Sequence, residues 1–162
     1  MSDELKIEGP ARTQHLKLKT QHSARTGTVL AFDFGTRRIG VATGDFETRF
    51  AHPLDTIHHA ENRVRFAAIE RLVAEWRPVL FVVGLPSHAD GSVHPVAALA
   101  RRFGQRLQGR FGIPAAFSDE RLTSCDAEQA LRQAGARGPR LKAAVDAVAA
   151  QRILEAYFAT AK

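Results

Sequence analysis

Three carboxylates sit in apolar settings where surface acids are not expected. Asp33 lies near the end of residues 29–34, a run that is otherwise wholly apolar. Glu120, beside Asp119, falls at the exit of "IPAAFSDE". Asp146 lies in "AAVDAVAAQRILEAYF", where its i+4, i+7 and i+11 neighbours are Ala150, Ile153 and Tyr157, so helical spacing turns it toward an apolar face. A charge in such a setting is costly unless something pairs with it. Clustered carboxylates repel one another unless a cation binds them. Hard cations such as Mg²⁺ or Mn²⁺ prefer oxygen ligands. The chemistry this suggests is metal-assisted displacement at phosphorus, with ions about 3.5–4 Å apart if two sites fill. Each acid also has a plainer reading. Asp33 would cap the "GT" turn, Glu120 would pair with Arg121, and Asp146 would pair with Lys142 at i−4. All three converge if the first and fifth strands are neighbours and the last helix packs beside them.

The elements that must position these residues follow from periodicity. Residues 28–34 read as a buried strand, apolar on both faces apart from Asp33. "GTRR" is a turn, and 38–44 form a second strand in a hairpin with the first. A weaker third strand covers 51–59, with Pro53 marking an edge or a strand start. Residues 61–76 form an amphipathic helix with Val64, Ala67, Ala68, Leu72 and Val73 inward, ended by Pro78. A buried strand over 79–84 precedes a helix over 95–111, with Val96, Leu99, Phe103 and Leu107 along one side. A strand over 113–120 is followed by a helix over 122–133, a break at "GARGPR", and a last helix over 143–158. The order β-β-β-α-β-α-β-α-α implies an α/β fold: a mixed five-stranded sheet, an antiparallel meander then parallel strands, with helices on both faces. Residues 1–27 are polar and aperiodic and read as a mobile tail, leaving one domain over 28–162.

Composition narrows the function classes. No apolar run approaches the roughly 20 residues needed to span a bilayer, and the N-terminus lacks the apolar stretch of a secretory signal. Cys125 is the only cysteine, which forbids an intrachain disulfide and makes the cytoplasm the default. Its expected role is that of a small helix residue rather than a nucleophile. The seven histidines lack zinc-type spacing, and no phosphate-binding G-x-x-x-x-G-K-[ST] loop is present. The net charge is +6, and residues 101–142 hold nine lysines or arginines against four acids. That segment is either a solvated surface or a polyanion-binding one.

Five segments, "FDFGTRRIGVATGD", "VVGLPSHADGS", "RRFGQRL", "SDERLTS" and "VDAVAAQRIL", resemble in order and spacing those of the YqgF (RuvX) family. The resemblance covers about residue 28 to the C-terminus. It implies an RNase H-like fold, kinship with RuvC-type Holliday junction resolvases, and a nuclease that matures the 5′ end of the small-subunit rRNA precursor in ribosome biogenesis. The family's acidic triad falls on Asp33, Glu120 and Asp146, as ligands of one or two Mg²⁺ or Mn²⁺ ions, with Asp119 as an outer ligand or structural partner. The loop 84–92 would lie near the site, although "SHAD" departs from the "LNMD"-like residues of the family. Arg37, Arg38, Arg121, Arg137, Arg140 and Lys142 would then contact phosphates. Arg101, Arg102, Arg106 and Arg110 recur along one helix, where solvation explains them equally well. The expected partners are rRNA precursor, branched DNA or ribosomal particles, with no membrane. A homodimer is one way to act on symmetric substrates. Two rival readings are a junction resolvase acting on branched DNA and a non-catalytic nucleic-acid or ribosome-binding module. An actin-like ATPase, which also opens on "D-x-G-T", needs two such domains, and this chain has room for one.

Overall fold

The structure, a computed structural model, describes residues 25–87, 92, 94–119, 135 and 138–161. Strands β1 (Thr28–Phe34), β2 (Ile39–Asp45) and β3 (Ala51–Ile57) form an antiparallel meander. Helix α1 (Asn62–Trp76) then leads to β4 (Leu80–Leu85), and α2 (Ala97–Phe111) leads to β5 (Ala115–Asp119). Strands β4 and β5 run parallel to β1, and the sheet order is β3-β2-β1-β4-β5. Helix α3 (Gly138–Thr160) follows. The expected helix over 122–133 and residues 1–24 of the expected tail lie outside the described residues.

The sheet has helices on both faces because β1, β2 and β4 are apolar on both. Leu30, Phe32, Ile39, Val41, Phe81 and Val83 meet Phe66 and Ile69 of α1 and Ala100, Phe103 and Leu107 of α2. Val29, Ala31, Ala42 and Val82 meet Ala150, Ile153, Leu154 and Phe158 of α3. Each large side chain removed from water in this way stabilises the fold by about 1.5–3 kcal/mol. Pro53 sits on β3, an edge strand, next to a register shift between Val41 and Ala42 of its neighbour.

The structure corrects four details of the sequence reading. First, β1 and β5 are not neighbours, because β4 lies between them. One flank of β1 is already taken by β2, so successive crossovers add β4 and then β5 outward on the other side. Second, the most deeply buried apolar residues of α1 are Phe66 and Ile69; Ala68, Leu72 and Val73 pack against the same core as expected, while Ala67 is exposed. Arg65 is also inward, at 3 % exposure. Its guanidinium donates to the Gly35 carbonyl at 2.7 Å and to the His59 carbonyl, and lies over the Phe34 ring. Third, Leu99 faces out of α2 at 41 % exposure, and Ala100 takes the inner position. Fourth, α3 begins at Gly138 rather than 143. Gly138 takes φ +65°, and Pro139 fits a first helical turn because the N–H it lacks has no intrahelical partner there.

Candidate active site

Strand alternation decides which way Asp33 points. Along β1, Val29 and Ala31 face α3, and Asp33 is the next residue on that face. Its antiparallel partner in β2 is Gly40. A Cβ built on Gly40 would lie 1.8 Å from the backbone oxygen of Asp146 and 2.3 Å from its carbonyl carbon. The absent side chain is what lets α3 seat its backbone on β2 at this point, next to Asp33. Two further contacts hold the helix along β3. Thr56 Oγ1 donates to the Ala143 carbonyl at 2.6 Å, and Gln151 Nε2 donates to the Ala51 carbonyl at 3.1 Å.

The result is a cleft of about 490 Å³ at the end of β1, lined by Asp33, Asp146, the Phe34–Thr36 turn, Arg37, Arg38 and Lys142. Two carboxylates thus share one opening with three cations. Arg38 Nε lies 2.8 Å from Asp146 Oδ2. That approach is a charge contact and not a hydrogen bond: Oδ2 is buried and has no hydrogen-bond partner among the described residues. Burial pushes the Asp146 carboxyl above its ordinary value, while the Arg38 and His58 charges pull it back. An acid in this position gains from a cation that meets its open lone pairs.

The other sequence-predicted residues divide as follows. Arg140 is exposed on the first turn of α3 and does not line the cleft. Asp119 ends β5 on the alternation of Phe117, which packs toward α2, so it belongs to the opposite side of the sheet from Asp33. Ser87 Oγ donates to its Oδ1 at 3.0 Å. Glu120, Arg121 and Arg137 lie outside the described residues, as do 88–91 of the 84–92 loop. Among the described residues no three histidines, cysteines or acids gather as a metal-binding group. The sequence reading missed Gly40, Thr56 and His58. Gly40 carried a readable signal, since a glycine inside a strand marks a close backbone approach.

An α/β domain with a paired-carboxylate, arginine-rimmed cleft at the end of its central strand is the class these features define. Its family is shown by comparison with known proteins. The family model described as "RuvX: Holliday junction resolvase" matches residues 27–160, and the chain belongs to that family. A relative from Dechloromonas aromatica, named "Putative pre-16S rRNA nuclease", is 58% identical over 132 residues, covering 82% of this chain and 90% of the relative. A relative of the same name from Nitrosomonas europaea is 53% identical over 136 residues, covering 84% and 92%. Among solved structures, T. thermophilus RuvC in complex with a Holliday junction substrate matches with a TM-score of 0.50 at 19% identity, covering 82% of this chain and 94% of that one. That likeness supports the RNase H-like fold.

Proposed function

We propose that this protein is a metal-dependent nuclease that hydrolyses phosphodiester bonds in structured RNA, and that its substrate is the 16S rRNA precursor. The single observation that carries the reading is the meeting of Asp33 and Asp146 in one cleft rimmed by Arg37, Arg38 and Lys142. The curated relatives' name supports the choice of RNA. The site would act at the precursor's 5′ end, in the cytoplasm, on ribosomal particles in assembly. The domain would span 28–162, with 1–27 as an appended tail. No described helix is long and apolar enough to cross a membrane.

The residues fit a divalent cation. The donor set is oxygen only, and Asp146 Oδ2 is a buried atom with no hydrogen bond among the described residues. Asp33 and Asp146, joined by Glu120, would hold Mg²⁺ or Mn²⁺, whereas Asp119, on the opposite side of the sheet, is not placed to join them. When bound, the ion supplies an activated water and neutralises charge at the leaving oxygen. The chain's own part is to place it. Gly40 sets the spacing between the two acids, and Arg37, Arg38 and Lys142 draw the phosphate into the cleft. Arg38 balances Asp146 across 2.8 Å, and a bound cation would compete with the guanidinium for that oxygen. Arg121 and Arg140 would extend the phosphate contacts beyond the cleft.

The test compares the wild type with Asp33→Asn, Glu120→Gln and Asp146→Asn on precursor rRNA and on a four-way DNA junction, in Mg²⁺, Mn²⁺ or EDTA. The expected result is RNA cleavage by the wild type with either ion, none in EDTA, and none by the variants. Cleavage that persists in all three variants removes the proposed site. Preference for the junction moves the substrate to branched DNA. Binding without cleavage leaves a nucleic-acid-binding module.

A further inference from the structure

Helix α2 carries four arginines and no acid. The structure sorts them into two pairs. Arg101 lies 5.5 Å over the Phe117 ring and Arg110 5.3 Å over the Phe66 ring, so both are used in packing. Arg102 and Arg106, one turn apart, instead line a second cleft of about 270 Å³ between α1 and α2. No hydrogen bond or ion pair joins either of them to another described residue. Among the described residues the lining contains no acid. The apolar part of the lining is Phe34, Phe66 and Phe103, with the exposed Leu99 beside them. Arg65 also lines it, but its guanidinium is committed to the Gly35 and His59 carbonyls.

Three properties identify what fits. The two guanidiniums, without a partner among the described residues, call for an anion, and phosphate matches their planar donors. The aromatic and leucine lining calls for an apolar, flat group. The volume is below the roughly 300–1,000 Å³ of sites that enclose a whole small molecule, which suits one unit of a longer chain. An unstacked nucleotide combines all three. Position gives the rest. Phe34 and Thr36 line both this cleft and the one that holds Asp33 and Asp146. A strand crossing the Phe34–Thr36 turn passes from one to the other.

We propose that the cleft between α1 and α2 is a subsite for an unpaired nucleotide flanking the cleaved bond, its phosphate on Arg102 and Arg106 and its base against Leu99 and Phe34. The placement beside a cleaved bond rests on the nuclease reading; the binding itself does not. Exposed Leu99 and the two exposed arginines, otherwise a solvated helix face, then have one shared task. A substrate with a single-stranded extension next to the cut is selected over a fully paired one.

The test uses the full chain and has two arms. In EDTA, where no cleavage occurs, a labelled single-stranded oligoribonucleotide is titrated into the wild type, the Arg102→Ala/Arg106→Ala double variant and Leu99→Ala. The double variant is expected to bind at least about tenfold more weakly, with a salt slope shallower by about 0.7 for the one phosphate given up. Leu99→Ala is expected to bind severalfold more weakly with its slope unchanged. In Mg²⁺, an abasic residue next to the cut bond raises KM for the wild type and leaves the double variant nearly unaffected. Equal affinity and equal slope in wild type and double variant overturn the proposal. Weakened binding by the double variant, with no cleavage by the wild type, keeps the subsite and removes the nuclease reading; normal cleavage with unchanged binding does the reverse.

Discussion

Replacing Gly40 by alanine tests whether the seat of α3 on β2 sets the distance between the two acids. The added Cβ would stand 1.8 Å from the Asp146 backbone oxygen and 3.1 Å from the Ala147 nitrogen, whereas ordinary contact begins near 3.4 Å. Strand and helix must therefore part by about 1.6 Å at this point. The atoms in the way are helix backbone and cannot rotate aside. The cost belongs at the upper end of the range for overpacking, about 3 kcal/mol. For a chain of this size that lowers Tm by roughly 6–12 °C. The activity effect is separate from the stability effect and of similar size. Asp146 moves with the helix, and a displacement near 1 Å in a catalytic group costs about 100-fold in rate. Gly44→Ala is the control. Its Cβ would meet the Phe50 backbone oxygen at 2.5 Å, Leu154 at 3.0 Å and Phe158 at 3.1 Å, on the same face but away from the acids. It is expected to lower Tm while the folded protein keeps its cleavage rate. Thermal melts and single-turnover cleavage well below both melting points separate the two effects. A Gly40→Ala protein with wild-type Tm and wild-type rate would refute the reasoning.

Three other outcomes follow from the same structure. Burial raises the Asp146 carboxyl, so the folded protein binds more protons than the unfolded chain between the ordinary and the raised value, and metal-free stability falls as pH climbs through that window; Asp146→Asn is expected to lose this slope and to melt higher than the metal-free wild type at pH 7. Arg65→Met leaves the Gly35 and His59 carbonyls without their donor and is expected to cost about 1–3 kcal/mol by denaturant titration, with a further loss of cleavage because the Phe34–Thr36 turn is no longer held. Gly109→Ala, near the end of α2 with nothing within 4 Å of the new Cβ, is expected to stabilise by about 0.5–1 kcal/mol and to leave cleavage unchanged.

The sequence shows what repeats at short range. Alternation in β1 exposed Asp33 as an anomaly, and helical spacing placed Asp146 with Ala150 and Ile153, both of which are buried under the sheet. What the sequence did not show was set by contacts between distant segments. The position of β4 between β1 and β5 depends on which flank of β1 was already occupied. The pairing of Asp119 with Ser87, on the far side of the sheet from Asp33, depends on a register that only the folded sheet defines. Arg65 reads as a solvated charge in "NRVRFAAIER" and is instead buried, because two carbonyls from preceding loops converge on it. The arginines of α2 read as one uniform basic stripe until the rings of Phe66 and Phe117 take two of them.

Direct titration of Mn²⁺ into the full chain, followed by calorimetry or by the loss of free-ion paramagnetic signal, bears most closely on whether Asp33 and Asp146 form one metal-binding cleft. Binding by the wild type that is lost or weakened at least tenfold in both Asp33→Asn and Asp146→Asn is the predicted result. Undiminished binding in either folded variant would contradict it.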